Sequence, residues 1–357
     1  MNQKIFFKGL NSLRFFAAFA VLIFHSSQWY HHDFSTPFKL FLHNLPVAVD
    51  FFFILSGFLI IYLLMVEKPQ TQTINLKHFY IRRFLRIFPL YYLIILLTFF
   101  IFKHDGEIIA WRDFSFFMGN FSIIAKNTWT NAALNPLWSI NIEEHFYFVI
   151  PFLIYVIPLK KLNYLFFIVI LLSFGFRIYA TVTIPNNWMT IYMHTFSQMD
   201  LLAIGGLLAW YHFYHKMEFH LPSFVYLIIF FAFLLLMSLV DSKDYSTLYF
   251  ASLKKYIFTI PLIFLLLFFI FDNHKQFVFI KNNKLLNYLG KISFGIYLFN
   301  AIVIDQLEKI PWLHQHYAAK LPLDILITLL VATLSYELFE KQFLKLKGKF
   351  QVIKTNT

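Results

Sequence analysis

Cysteine is absent from this 357-residue sequence, which removes disulfides, thiolate metal sites and thiol nucleophiles together. Charge is scarce as well: Asp, Glu, Lys and Arg make up 13% of the chain. Gly/Ser linkers, low-complexity tracts and any stretch that reads as a soluble domain are also missing. No internal repeat is visible, which counts against transporter architectures built from two related halves. What the sequence does have is apolar surface, at 59% hydrophobic and 22% aromatic residues, with a mean hydropathy of +0.65. A soluble domain of this length has no use for so much, and the apolar runs reach membrane-spanning length. These features define an all-α polytopic integral membrane protein.

The apolar stretches predict about ten transmembrane helices, near 12–29, 46–66, 84–103, 145–158, 163–182, 193–213, 222–240, 256–271, 285–304 and 323–343. The stretch 108–124 is aromatic and apolar but interrupted by Arg112, Asp113 and Asn120. It reads as interfacial or re-entrant; a span there would invert every later orientation. The N-terminus, with Lys4 and Lys8 before an apolar core, resembles a signal peptide. It lacks a small-residue cleavage site and carries Arg14 and His25, so a retained first helix is expected. With both termini in the cytoplasm, the cytoplasmic loops hold roughly twice as many Lys and Arg as the outer ones, as the positive-inside rule asks. The formal net charge of +12 is then mostly a cytoplasmic-face property facing anionic lipid, and no nucleic-acid partner is implied. The expected organisation is a single transmembrane domain over 1–345 and a short basic cytoplasmic tail over 346–357, multi-pass in the cytoplasmic (inner) membrane. Asn131, in the long outer segment 104–144, is expected to be reachable from outside.

Ionisable residues inside apolar runs are costly enough to need a reason. The first run, NSLRFFAAFAVLIFHSS, holds Arg14 and His25 with ten residues between them. Eleven helical steps come to roughly three turns, so the two share one face about 16 Å apart. A surface charge above a deeper imidazole suits a long anionic ligand that threads its reactive end inward. The plainer alternative is a snorkelling arginine and a hydrogen-bonded core histidine. In LPVAVDFFFILSGFLIIY, Asp50 lies about a turn inside the outer end of the second helix. Antiparallel pairing with the first helix would bring it to the depth of His25, where a carboxylate orients an imidazole; helix capping is its other reading. Ser56 and Gly57 fall near mid-membrane, and Gly57 suits close helix packing.

Arg82, Arg83 and Arg86 form a cationic cluster in KHFYIRRFLRIFPLYYL, at the expected cytoplasmic start of the third helix. Arg82 and Arg86 share a face and could grip phosphate with paired guanidinium donors, or serve as positive-inside flanks. NPLWSINIEEHFYFVIP puts Glu143 and Glu144 at the expected outer mouth of the fourth helix, beside Trp138, Ser139, His145 and Tyr147. Carboxylates next to aromatics suit sugar binding; an interfacial aromatic belt is the alternative. Arg177, Asp200 and Glu340 are further ionisable residues in apolar spans, with Arg177 placed to snorkel. Gly205-Gly206 would permit tight packing. His31-His32, His212 with His215, and His314 with His316 resemble metal pairs but lack a carboxylate set, so no metal is assigned.

Taken in order, these segments resemble the membrane-bound acyltransferase-3 family, which includes O-antigen and polysaccharide O-acetyltransferases. The resemblance covers essentially the whole chain. Its basic residue, ten residues, then His is matched by Arg14 and His25. VAVDFFFILSGF at 47–58, RRFLRIFPLY at 82–91, LWSINIEEHFY at 137–147, LGKISFGIYLFN at 289–300 and LSYELFEKQF at 334–343 match its later motifs. Gln198, His145, Asn300 and Gln342 depart from the family's usual Arg, Gln, His and Pro, and no catalytic role is carried onto Asn300 or Gln342. Many members append an extracytoplasmic esterase-like domain, and none is expected here. The resemblance implies acyl transfer, usually of acetyl, from cytoplasmic acyl-coenzyme A to a hydroxyl of a carbohydrate acceptor across the membrane. His25 would act as general base or transient acyl carrier, oriented by Asp50 or Glu143. Arg14, Arg82, Arg83 and Arg86 would hold the donor, with Ser56 near its reacting carbonyl. Trp138, Ser139, Glu144, Tyr147 and Arg177 would meet the acceptor. Two alternatives stand beside this: a transporter or flippase for a polar glycan or lipid-linked sugar using the same charges, and a non-catalytic assembly partner.

Overall fold

The computed structural model describes Phe7 and residues 9–28, 35–102, 111–184, 187–217, 222–241, 253–271 and 275–353. Every regular element among them is helical. A helix stands at each of the ten expected places, the ninth broken by a 63° bend between Lys284–Lys291 and Ser293–Glu308. Six spans are long and apolar enough to cross a membrane: Leu10–Ser27, Thr36–Gln70, Leu76–Ile101, Leu159–Thr183, Lys254–Phe271 and Ala319–Gly348, or up to seven if the bent pair counts as one. The Leu137–Val156 and Thr195–His215 helices have the length but too many polar residues, and Phe224–Leu239 is short. Residues 108–124 do not form a spanning helix where they are described. They make two short helices, Trp111–Ser115 and Gly119–Lys126, separated by a turn with Phe117 at φ 60°.

The chain divides into two compact units. Among the described residues, one holds those within 53–216 and 334–353; the other holds those within 7–52 and 217–333. In the first unit, the Leu137–Val156 helix begins after Pro136, whose ring favours a helix start. It stops at Ile157, forced into an extended conformation by the proline after it. Its last carbonyls have no partner within the helix, and the Lys68 ammonium donates to those of Ile154, Tyr155 and Ile157 at 2.7–3.0 Å. The Val47–Gln70 and Thr195–His215 helices cross at Gly57 and Gly205. A Cβ on Gly57 would lie 2.1 Å from the Leu202 carbonyl oxygen, and one on Gly205 2.1 Å from that of Ile54. Only hydrogen fits at that crossing. The outer faces are greasy: Leu172, Val182 and Phe148 are at least two-thirds exposed, as lipid-facing residues are in a protein whose backbone polar groups are satisfied within its helices.

In the second unit, the first helix packs on Lys284–Lys291 and Ser293–Glu308. The Ser12 hydroxyl donates to the Ile280 carbonyl at 3.0 Å, and the Asn283 side chain caps the Lys284–Lys291 helix at Leu286 N. Asn44 at the end of the Thr36–Asn44 helix donates to the Met237 and Val240 carbonyls at 2.8 and 2.6 Å, supplying partners at the C-terminal end of the Ser223–Leu239 helix.

Candidate active site

The second unit contains Arg14, His25 and Asp50. Leu10–Ser27 is one uninterrupted helix, so Arg14 and His25 do share a face, about 16 Å apart along the axis. His25 is less deep than expected: the helix ends at Ser27, which puts the imidazole in its last turn, edge-on to Phe24 at 5.1 Å. Asp50 lies in the first turn of Val47–Gln70, where its charge complements the helix dipole. Both residues are thus within about a turn of the helix ends joined by 28–46.

Next to His25 lies a group that sequence reasoning missed. The Ser26 hydroxyl donates to Asp324 Oδ2, and Lys320 Nζ donates to the same oxygen at 3.0 Å. Ser26 and Asp324 are fully buried and Lys320 is 3% exposed. Asp324 Oδ1 and the Thr328 hydroxyl, one turn further on, are buried without a hydrogen-bond partner among the described residues. The available signal was the Lys-x-x-x-Asp spacing in KLPLDILITLL, which puts an ion pair on one helix face.

In the first unit, four of the proposed residues come together. Glu143 Oε1 accepts from the Ser56 hydroxyl at 3.0 Å, and Oε2 accepts from the Tyr147 hydroxyl at 2.7 Å. The Arg83 guanidinium lies 5.2 Å from the centroid of the same Tyr147 ring. This corrects the expected separation of a cytoplasmic arginine cluster from an outer carboxylate cluster. The cause lies in the helix ends. Leu76–Phe102 starts eight residues before the expected 84, and Leu137–Val156 eight residues before 145. The arginines therefore sit roughly 9–15 Å inside their helix and the glutamates about 10 Å inside theirs. The two helices run antiparallel, with Tyr80 donating to the Phe148 carbonyl at 2.8 Å and Tyr91 lying 2.7 Å from Asn141. Tyr91 gives its single proton to the Phe114 carbonyl, so it accepts from the Asn141 amide, whose oxygen then faces Gly119 N.

The three arginines differ in their surroundings. Arg82 donates to Glu67 at 3.1 Å and to the Phe350 carbonyl at 2.9 Å, and Glu67 also accepts from Asn75 N. It therefore pins helix ends together. Arg86 has Glu340, Tyr147 and Tyr336 in electrostatic reach and is repelled by Arg83. Glu340 belongs to a π-helical turn, Tyr336–Glu340, and accepts from Ser335 at 3.3 Å. Glu144, with Arg83 and Glu143 as charged neighbours, has Oε1 buried and without a partner among the described residues. His145 Nδ1 lies 2.8 Å from the Thr195 hydroxyl, its ring stacked on Phe121, while Nε2 has no partner there.

Other proposed residues are packed more tightly than expected. Trp138 is 4% exposed, wedged between Phe53 and Tyr192, and the Ser139 hydroxyl donates back to the Pro136 carbonyl. Arg177 does not snorkel: it is 1% exposed and donates to Asp200 and the Ser197 carbonyl, each at 2.7 Å. Asn131 is 6% exposed and accepts from Ala133 N in a tight turn, so it is not the accessible outer residue expected. His212 packs on Tyr62, His215 on Tyr211 and His316 on Trp312. His31 and His32 lie outside the described residues. Asn300 is buried and donates to the Ile296 and Tyr297 carbonyls of its own helix.

An all-helical membrane chain with ionisable groups packed in its interior is the class these features define. More particularly, the chain belongs to the acyltransferase-3 family: the family model described as an acyltransferase domain matches residues 7–337. The chain is similar to O-acetyltransferase OatA of Staphylococcus aureus (strain NCTC 8325 / PS 47), at 29% identity over 95% of this chain and 57% of the relative. The same figures hold for OatA of strain COL. A further protein of strain COL, named provisionally as an O-acetyltransferase, is 26% identical over 94% of this chain and 57% of its own length. The chain thus spans somewhat more than half the length of these relatives. No solved structure matches significantly.

Proposed function

We propose that this chain is an acyltransferase that moves an acyl group, acetyl first among them, from acyl-coenzyme A to a carbohydrate hydroxyl. One observation carries the reading: Arg14 and His25 share a face of one unbroken helix in a chain that belongs to an acyltransferase family. The names of the S. aureus relatives add O-acetylation as the class. Arg14, Arg83 and Arg86 supply guanidinium groups for the donor's phosphates; Arg82 is better read as a structural pin. His25 takes the proton of the acceptor hydroxyl as its oxygen attacks the thioester carbonyl. The carbon–sulfur bond breaks, and the imidazolium returns the proton to the departing thiolate. A transient acyl-histidine would need two transfers where general-base catalysis needs one. Asp50, in the same unit as His25, is the carboxylate assigned to orient it. Glu143, aimed by Ser56 and Tyr147, and Glu144 are assigned to the acceptor's hydroxyls.

Ten spans with both termini in the cytoplasm, in the cytoplasmic membrane, complete the reading. They make 1–345 the acyltransferase domain and 346–357 a basic tail, with the donor entering from the cytoplasm and the acceptor from the outer face to meet it within the helices. Two measurements test it. His25→Ala should abolish transfer in a protein that still inserts and folds. Retention of more than about a tenth of wild-type turnover, against the 10²–10⁴-fold expected of general acid–base catalysis, overturns the assignment. For sidedness, Thr128, exposed beside the Gly119–Lys126 helix, is the labelling position. Thr128→Cys in this cysteine-free chain should react with an impermeant maleimide from the outer face of intact cells. Labelling only after the membrane is opened overturns the two-sided arrangement.

A further inference from the structure

We infer that the buried Ser26–Asp324–Lys320 group is a positioning device for His25, with Asp324 its central residue. The inference rests on the catalytic reading of His25 given above. His25 and Ser26 are consecutive in the last turn of the first helix. A last turn lacks the following residues that would complete its hydrogen bonding and frays unless something outside holds it. Here the outside hold comes from a carboxylate on the Tyr317–Ser335 helix. Ser26 gives its proton to Asp324 Oδ2, and that oxygen also receives the Lys320 ammonium.

The cost of such an arrangement argues that it has a purpose. Asp324 is wholly buried in a span and Lys320 almost so, and two charges withdrawn from water lose more by desolvation than a well-packed apolar pair would. Holding the first helix against its neighbour needs no charge. Fixing the rotation of its last turn does, because a hydroxyl-to-carboxylate bond is directional where apolar contact is not. The Lys320 ammonium, one turn before Asp324 on the same helix, donates to the oxygen that Ser26 uses and so fixes the direction in which that oxygen faces. Asp324 thus fixes the turn through Ser26, and the turn fixes the imidazole beside it. The device acts on the chemical step and leaves donor affinity alone, since Arg14 lies about three turns away on the same helix.

The test uses the full-length protein in detergent or nanodiscs, with acetyl-coenzyme A turnover read as released thiol. The chain has no cysteine of its own to react. Asp324→Asn alone breaks a buried ion pair from one side and puts the fold itself at risk, so the informative variants are Ser26→Ala and the double variant Lys320→Met with Asp324→Asn. Both should lower kcat by roughly ten- to a hundredfold, the loss that a misplacement of about 1 Å brings. The KM for acetyl-coenzyme A should stay within about twofold, as expected when only transition-state stabilisation is lost. Asp324→Glu, which keeps the charge, should recover part of the rate. Unchanged kcat in both variants alongside an inactive His25→Ala overturns the positioning role and leaves His25 catalytic. A fall in kcat that merely follows the fraction of folded protein also overturns it, showing the group to be structural. Turnover that survives His25→Ala removes the catalytic reading itself, and this inference with it.

Discussion

Arg177 and Asp200 give the sharpest separation of structure from function. The pair joins the Leu162–Thr183 and Thr195–His215 helices, with the guanidinium 1% exposed, the carboxylate fully buried, and 2.7 Å between them. Asp200→Asn leaves a buried cation without its counter-charge, and breaking a buried pair from one side costs about 3–5 kcal/mol. At roughly 2–4 °C per kcal/mol for a chain of this order, that is a fall on the order of 10 °C in melting temperature. Replacing both partners with apolar residues, Arg177→Met with Asp200→Leu, removes the stranded charge and should restore most of the loss. The assay is melting of the purified protein in detergent, followed on the same samples by acetyl transfer. If Asp200→Asn melts like the wild type, the pair does not hold these helices and the burial argument fails. If the double variant is stable yet inactive, Arg177 meets the acceptor as its sequence position suggested. Stability with activity retained makes the pair purely architectural, which is the outcome its burial favours.

Arg14→Ala and Arg86→Ala should each weaken acyl-coenzyme A binding by about ten- to a hundredfold, the equivalent of roughly 1.5–3 kcal/mol for a lost charge-assisted contact, as titration calorimetry would register. Arg82→Ala should instead lower the melting temperature with little change in donor affinity, since its guanidinium is held by Glu67 and the Phe350 carbonyl. Glu143→Gln should slow transfer by about tenfold or more while leaving donor binding near normal. Its amide can accept from only one of Ser56 and Tyr147 where the carboxylate serves both. Unaltered rates in this variant would remove Glu143 from the chemistry.

What could be read from the sequence, and what could not, divides on whether a relation is local. The Arg14–His25 face was legible because helical period alone sets it, and Leu10–Ser27 runs without a break. The Gly57 and Gly205 packing could be anticipated for the same reason: a missing side chain is visible in the chain itself, though which helix fills the space is not. The starts of the third and fourth helices were each placed eight residues too late. Hydropathy stops a span where polar residues begin, at LKHFYIRR before the third helix and LWSINIEE before the fourth. Polarity of that kind marks water only if the polar side chains face it. Here they face one another, with Arg83 over Tyr147, Tyr147 on Glu143 and Glu143 on Ser56, so the backbone stays helical through both segments. The same reasoning explains why Asp324 was overlooked. Its tie to Lys320 is local, but the tie that matters to His25 comes from Ser26, at the other end of the sequence. In an apolar chain the residues that carry chemistry are those whose polarity is satisfied at a distance. Each ionisable residue left without a local partner is therefore a pointer to a contact that only folding reveals.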